Sequence, residues 1–151
     1  MDKREVQEVK KIYFACSIAG GRDHSHVYKD IIKYIKAAGA EVVSELFAGK
    51  DLQAQSGTNP EWTSREIWQR DTNWVSEAAA VIAEVTQPSL GVGYEIAKAE
   101  GLGKPVLALF YSGSGKRLSP MIAGNPSVKV FEYTDVSQTQ KAIANLITKL
   151  N

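Results

Sequence analysis

Glu95 closes the stretch Val85-Thr86-Gln87-Pro88-Ser89-Leu90-Gly91-Val92-Gly93-Tyr94-Glu95, in which an apolar, strand-like run breaks at Gln87-Pro88-Ser89 and passes through two glycines into a helical pattern. A helix start presents unpaired N–H groups and the positive end of the dipole, both of which favour an anion. A carboxylate beside a bound phosphate is repelled unless the two are several ångströms apart. The spacing therefore suits a phosphate held by Ser89 and the backbone at the turn, with the glutamate carried one turn lower, toward the sugar. An ionised glutamate there suits a nucleophile or an oxocarbenium stabiliser for cleavage at an anomeric carbon. The same position equally fits an ordinary glutamate that complements the helix dipole.

Asp71 is the second carboxylate of interest. Ile67, Asp71, Trp74 and Ala78 share one helical face, so Asp71 is expected to interrupt the stripe that packs on a sheet, and a buried acid needs a partner or a task. Asp71 sits about 10 Å above Ala78, the next strand climbs about 20 Å to Gln87, and Glu95 lies one turn below that top. Neighbouring helices would bring the two acids together, the usual equipment for glycosyl transfer. The alternative is a pairing of Asp71 with Arg70 or Arg65 at the edge of the face. Glu84 is expected to be buried in a structural ion pair. Two more segments carry ligand-binding chemistry: Ser17-Ile18-Ala19-Gly20-Gly21-Arg22, where a Gly-Gly turn allows close backbone approach, and residues 112–119, where Lys116, Arg117 and Ser119 can reach a phosphate. A dinucleotide fingerprint is excluded, because glycine would be needed where Ile96 stands and the motif follows the wrong strand. No Walker A pattern occurs. Gly91 and Gly93 also fit a plain tight turn from strand to helix.

These residues must be positioned by alternating elements. Residues 12–16, 42–47, 79–85, 106–111 and 128–133 are short runs rich in Val, Ile, Phe or Tyr and read as strands. Val27, Ile31, Tyr34, Ile35 and Ala38 fall at helical spacing with Gly39 as the stop, and Ile143, Leu146, Ile147 and Leu150 repeat the pattern. Asn59-Pro60 reads as an N-cap and first helical residue of a helix running to Glu77. Strands alternating with helices imply right-handed crossovers and a five-stranded parallel sheet covered on both faces. The expected fold class is α/β, a Rossmann-like or flavodoxin-like three-layer sandwich forming a single domain over residues 1–151, with residues 1–10 a loosely ordered N-terminus.

Composition narrows the partners. A formal net charge of +1 gives no global field for a nucleic acid polymer or an anionic membrane, and no apolar run approaches the roughly 20 residues that span a bilayer. Cys16, the single cysteine, excludes an intramolecular disulfide and reads as a small buried hydrophobe. The charged first residues lack the apolar core of a signal peptide, so the expected compartment is the cytoplasm or the nucleus.

Three stretches, "IYFACSIAGGR", "RDTNWVSEAAAVIAEVTQPSLGVGYE" and "SGKRLSPMIAG", resemble the 2′-deoxynucleoside 5′-phosphate N-hydrolases, a branch of the nucleoside 2-deoxyribosyltransferase superfamily, over residues 11–150. The resemblance implies hydrolysis of the N-glycosidic bond of a deoxynucleoside monophosphate, giving free base and 2-deoxyribose 5-phosphate, with no cofactor and no metal. It implies Glu95 as the nucleophile at C1′, Asp71 as the residue assisting the leaving base and placing the sugar, and Tyr13 as the residue orienting Glu95. Ser17, Ile18, Gly20, Ser89, Gly91, Ser119 and Met121 would bind substrate, with Ser17, Ser89, the Gly91 backbone and a Ser119 from the partner subunit of a homodimer on the 5′-phosphate. The chain departs from the family pattern at Ala19, where arginine is usual, and at Leu46, where histidine is usual. Arg22, Lys116 or Arg117 can replace the first cation, and His24 or His26 can stand in for the second.

Overall fold

The computed structural model describes residues 8–17, 24–44 and 62–150. Five parallel strands form one sheet: β1 (Lys11–Ala15), β2 (Glu41–Val42), β3 (Ala80–Glu84), β4 (Val106–Tyr111) and β5 (Val128–Tyr133), in the order β2-β1-β3-β4-β5. Helices α1 (Ser25–Ala37), α2 (Ser64–Glu77), α3 (Leu90–Gly101), the short α4 (Pro120–Ala123) and α5 (Thr139–Lys149) connect and cover them. The order reverses between β1 and β3, which is where flavodoxin-like sheets open a crevice beyond the strand ends.

Alternation along the strands sorts the core into two layers. Ile12 and Phe14 of β1 and Ile82 of β3 join Ile31 and Ile35 of α1 and Ile143 and Ile147 of α5 on one face. Tyr13, Ala15, Val81 and Ala83 point the other way, against Val75 of α2 and Val92 and Ile96 of α3. β3 is buried along its whole length, as a central strand of a doubly covered sheet must be. Cys16 is half-buried against the α1 and α5 layer.

Four expectations change. The helix expected to open at Asn59-Pro60 begins at Ser64: Thr63 is its cap, with the Thr63 side chain accepting from Glu66 N and the Glu66 carboxylate accepting from Thr63 N at 2.7 Å. This reciprocal pair satisfies two helix-end donors at once, while Asn59, Pro60 and Glu61 lie outside the described residues. The strand expected over residues 42–47 is described as Glu41–Val42, with residues 45–47 outside the described residues; at its end the Ser44 hydroxyl donates to Phe14 O at 3.0 Å and accepts from Phe14 N at 3.2 Å, standing in for the backbone ladder. Asp71 does not interrupt the stripe facing the sheet. Thr72, Val75 and Ala78 form that stripe, and Asp71 lies to its side, toward α3. Glu84, buried as expected at 2% exposure, has no ion pair among the described residues: its carboxylate accepts from Thr86 N at 2.7 Å and from the Tyr133 hydroxyl. Tyr111 N in turn donates to Thr86 Oγ1 at 2.8 Å, so the upper ends of β3, β4 and β5 are stitched together under the turn that leads into α3.

Candidate active site

Tyr13 rises from the middle of β1 into the α2 and α3 layer, 4% exposed, and its hydroxyl donates to the Glu95 carboxylate on the second turn of α3. Asp71, half-way along α2, faces Glu95 across a cavity of about 400 Å³ lined also by Ile67, Trp68, Thr72, Leu90, Gly91 and Tyr94. Trp68 Nε1 donates to the Tyr94 hydroxyl at 3.2 Å, bridging the two helices beside the acids. Arg70 Nε meets Asp71 Oδ1 at 2.8 Å. Both sequence alternatives for Asp71 are therefore realised together, as a partner of Arg70 that also shares a cavity with Glu95.

The electrostatics of the pair follow from this placement. Burial raises the Glu95 carboxyl, and the negative charge at Asp71 raises it further; the Tyr13 hydrogen bond and the Arg70 guanidinium pull the other way, and the balance is a value pushed up to about 8. The protein's own groups thus keep a proton on Glu95 at neutral pH. Tyr13 is pushed far above the usual phenol range by its burial and by the charges of Glu95 and Asp71. It remains a hydrogen-bond donor at every working pH.

The model of the family described as nucleoside 2-deoxyribosyltransferase matches residues 12–121, a span that holds Tyr13, Asp71 and Glu95. The chain belongs to the nucleoside 2-deoxyribosyltransferase family. Within this family it is 40% identical over 127 residues, 84% of this chain and 77% of the relative, to a Rattus norvegicus protein named 5-hydroxymethyl-dUMP N-hydrolase. It is 46% identical over 145 residues, 93% of this chain and 96% of the relative, to a Nematostella vectensis protein provisionally named 2′-deoxynucleoside 5′-phosphate N-hydrolase 1. Among solved structures it is similar to BlsM (TM-score 0.75, 20% identity, 94% of this chain and 91% of the other). It is also similar to the Clostridium botulinum CMP N-glycosidase BcmB (TM-score 0.62, 18% identity, 89% and 98%), and both likenesses establish the shared fold.

The nucleoside 2-deoxyribosyltransferase fold places the remaining expected residues unevenly. Ser17 is buried at 5% exposure just past the end of β1, beside the crevice. Ser89 caps α3, its side-chain oxygen accepting from Val92 N at 3.3 Å, which leaves the hydroxyl proton available to donate. Gly91 borders the Glu95 cavity, and its N–H is among the first helical donors that lack an intrahelical acceptor. Gly91 and Gly93 lie inside α3 without positive φ, so the turn itself does not require glycine. Ser119 and Met121 do not line the Glu95 cavity of their own chain. They border a groove of about 440 Å³ on the other flank of α3, with Ser89 and Leu90. Lys116 donates to the Gln87 side chain at the turn, and Arg117 is exposed. Ile18 and Gly20, with Ala19, Arg22 and Leu46, lie outside the described residues. His24 stands at the start of α1 without a side-chain cap, and His26 is exposed.

Sequence reading missed the aromatic surroundings of the acids, Trp68 with Tyr94 and the pair Trp62 and Trp74 around Arg70. The available signal was that all three tryptophans of the chain fall within residues 62–74.

Proposed function

We propose that the protein hydrolyses the N-glycosidic bond of 2′-deoxynucleoside 5′-monophosphates to the free base and 2-deoxyribose 5-phosphate. The observation that carries this reading is the half-buried Glu95 carboxyl held by the Tyr13 hydroxyl opposite Asp71, in a chain whose relatives bear N-hydrolase names. Glu95, once it has lost its proton to solvent, attacks C1′ as the bond to the base breaks, Asp71 assists departure of the base, and water then resolves the glycosyl-enzyme. Tyr13 holds the carboxylate in line. A deoxy sugar reaches the oxocarbenium-like state more readily than a ribose and leaves room for a close carboxylate. The 5′-phosphate lies on the Ser89 hydroxyl and the first N–H groups of α3, with Ser17 on the β1 side.

A homodimer completes this site in the proposal. Ser119 and Met121 face away from their own chain's cavity, while Leu90 at 97%, Met121 at 81% and Tyr94 at 55% exposure form an apolar surface along α3 and α4. A partner subunit seated there delivers its own Ser119 to the phosphate. Leu90→Glu is expected to yield monomers with little base release; a fully active monomer in sedimentation and assay would remove the partner from the site.

A panel of deoxy and ribo monophosphates, read by free-base release, tests the reaction. Deoxy monophosphates are expected to be cleaved preferentially, and Glu95→Gln is expected to lose about a hundred- to ten-thousandfold in rate. The family description favours one competing reading, transfer of the deoxyribosyl group to a second base. Incubation with dGMP on one side and with deoxyguanosine plus adenine on the other separates the two. Sugar transfer without monophosphate hydrolysis would replace the proposed reaction.

A further inference from the structure

Arg70 is the neighbour of Asp71 in sequence, and residues one apart on a helix do not face each other. Their contact therefore needs the arginine side chain to fold along the helix toward the acid. Two indoles hold it there. Its guanidinium carbon lies 5.3 Å from the ring centroid of Trp62, ahead of the α2 cap, and 5.0 Å from that of Trp74, one turn further along the helix. A planar, weakly hydrated guanidinium stacks on aromatic faces where an ammonium would keep its water, so this setting selects arginine over lysine. The side chain is only 13% exposed, which concentrates its field on the acids instead of dissipating it in solvent.

We infer that Arg70, clamped between Trp62 and Trp74, is a positioning residue of the site: it fixes the orientation of Asp71 and supplies the positive charge that faces Glu95. This rests on the reading of Glu95 and Asp71 as the reacting pair. Among the described residues the groups acting on Glu95 are Asp71 and Arg70 from α2 and Tyr13 from β1, with Cys16 beyond β1 acting on Tyr13. Arg70 is the cation among them. It favours the ionised glutamate against burial and against the Asp71 charge, and so governs how much nucleophile exists near neutral pH.

Titration of the Glu95 side-chain carboxyl carbon by ¹³C NMR, alongside kcat and KM across pH, tests this in wild type, Arg70→Met, Arg70→Lys and Trp62→Leu. Arg70→Met is expected to move the Glu95 titration about one pH unit to the alkaline side. At pH 7 its kcat falls about tenfold with KM changed much less, and the rate returns toward wild type as pH is raised. Arg70→Lys restores most of the titration and only part of kcat, because the charge returns without the stacked geometry. Trp62→Leu shifts both in the Met direction by a smaller amount. If Arg70→Met fails to fold, the lysine and Trp62 variants are read by the same criteria. An unchanged Glu95 titration, or a rate loss independent of pH, overturns the inference. Wild-type base release by Glu95→Gln would instead sink the reading of the pair, and with it the part of Arg70 in the reaction, whatever the titration shows.

Discussion

Replacing Glu95 by glutamine tests the electrostatics of the site without reference to catalysis. An ordinary glutamate near 4.5 that is pushed up to about 8 in the folded protein binds its proton more tightly there than in the unfolded chain. Below pH 4.5 both states hold the proton and the residue has no net effect. Between 4.5 and 8 only the unfolded state releases it, so stability falls as pH rises, and above 8 the full penalty remains. At 1.36 kcal/mol per unit the penalty is at most about 5 kcal/mol, a large share of the 5–15 kcal/mol typical of a domain. Glu95 keeps some contact with solvent at the cavity, which reduces the expected figure to about 2–4 kcal/mol. Glutamine retains the shape and a hydrogen bond to Tyr13 but does not titrate. Thermal melts of wild type and Glu95→Gln from pH 4.5 to 9 are therefore expected to diverge. The variant's Tm should match wild type at the acid end and exceed it by about 5–15 °C near pH 8.5, using roughly 2–4 °C per kcal/mol at this size. Every other titrating group is common to both chains, so the difference isolates Glu95. Parallel Tm curves would refute the argument that burial and Asp71 hold the proton on this residue.

Further outcomes follow from the same contacts. Tyr13→Phe removes the donor that favours the charged glutamate, so the ascending limb of its pH–rate profile is expected to lie at higher pH, with about a tenfold lower rate at pH 7. Gly91→Ala meets only Ser89 Oγ at 3.8 Å and gains helix propensity, so urea melts should show about 0.5–1 kcal/mol more stability while KM for a monophosphate rises, because the new methyl borders the cavity. Tyr133→Phe strips one donor from the buried Glu84 and is expected to cost about 1–3 kcal/mol in the same assay. Its base release should fall far less than that of any cavity acid, since the network supports α3 only from below.

Much of the fold was legible because the decisive signals were local. β4 and β5 run over residues 106–111 and 128–133 as read, each an apolar run between polar turns, and Gly39 ends α1 with a φ of 89° that only glycine adopts easily. The start of α2 was misread because Asn-Pro is a strong sequence signal, whereas Thr63 and Glu66 act only when both partners close on each other. Asp71 was assigned to the wrong face for a related reason. Trp74 does pack, partly buried, against the core and its ring also carries Arg70, but it borders the layer from the side while the smaller Thr72 and Val75 take the sheet. Glu95 was readable from its distance to the turn. The flank on which Ser119 falls was not, since that depends on how α4 passes α3 and no local pattern encodes it.

The raised glutamate also decides which role each acid plays. In paired carboxylates the one whose environment retains the proton commonly serves as the acid, and the one left charged stabilises or attacks the sugar. By that rule alone Glu95 would protonate the leaving base and Asp71 would face C1′. The site contains two groups that argue for the opposite assignment: Tyr13 donates to Glu95 from beneath, and Arg70 faces it from α2, and both favour its ionised form. A nucleophile needs that form before the step begins, whereas a general acid reaches it only as the step ends. The two assignments give opposite signs of pH dependence. A nucleophilic Glu95 makes kcat/KM climb with pH and level off near 8, whereas an acidic Glu95 makes it decline through the same region. Because Asp71→Asn removes the charge that raises Glu95, the inflection should move to lower pH in that variant whichever sign is found. An ascending profile that moves this way assigns the attack on C1′ to Glu95, and a descending one transfers it to Asp71.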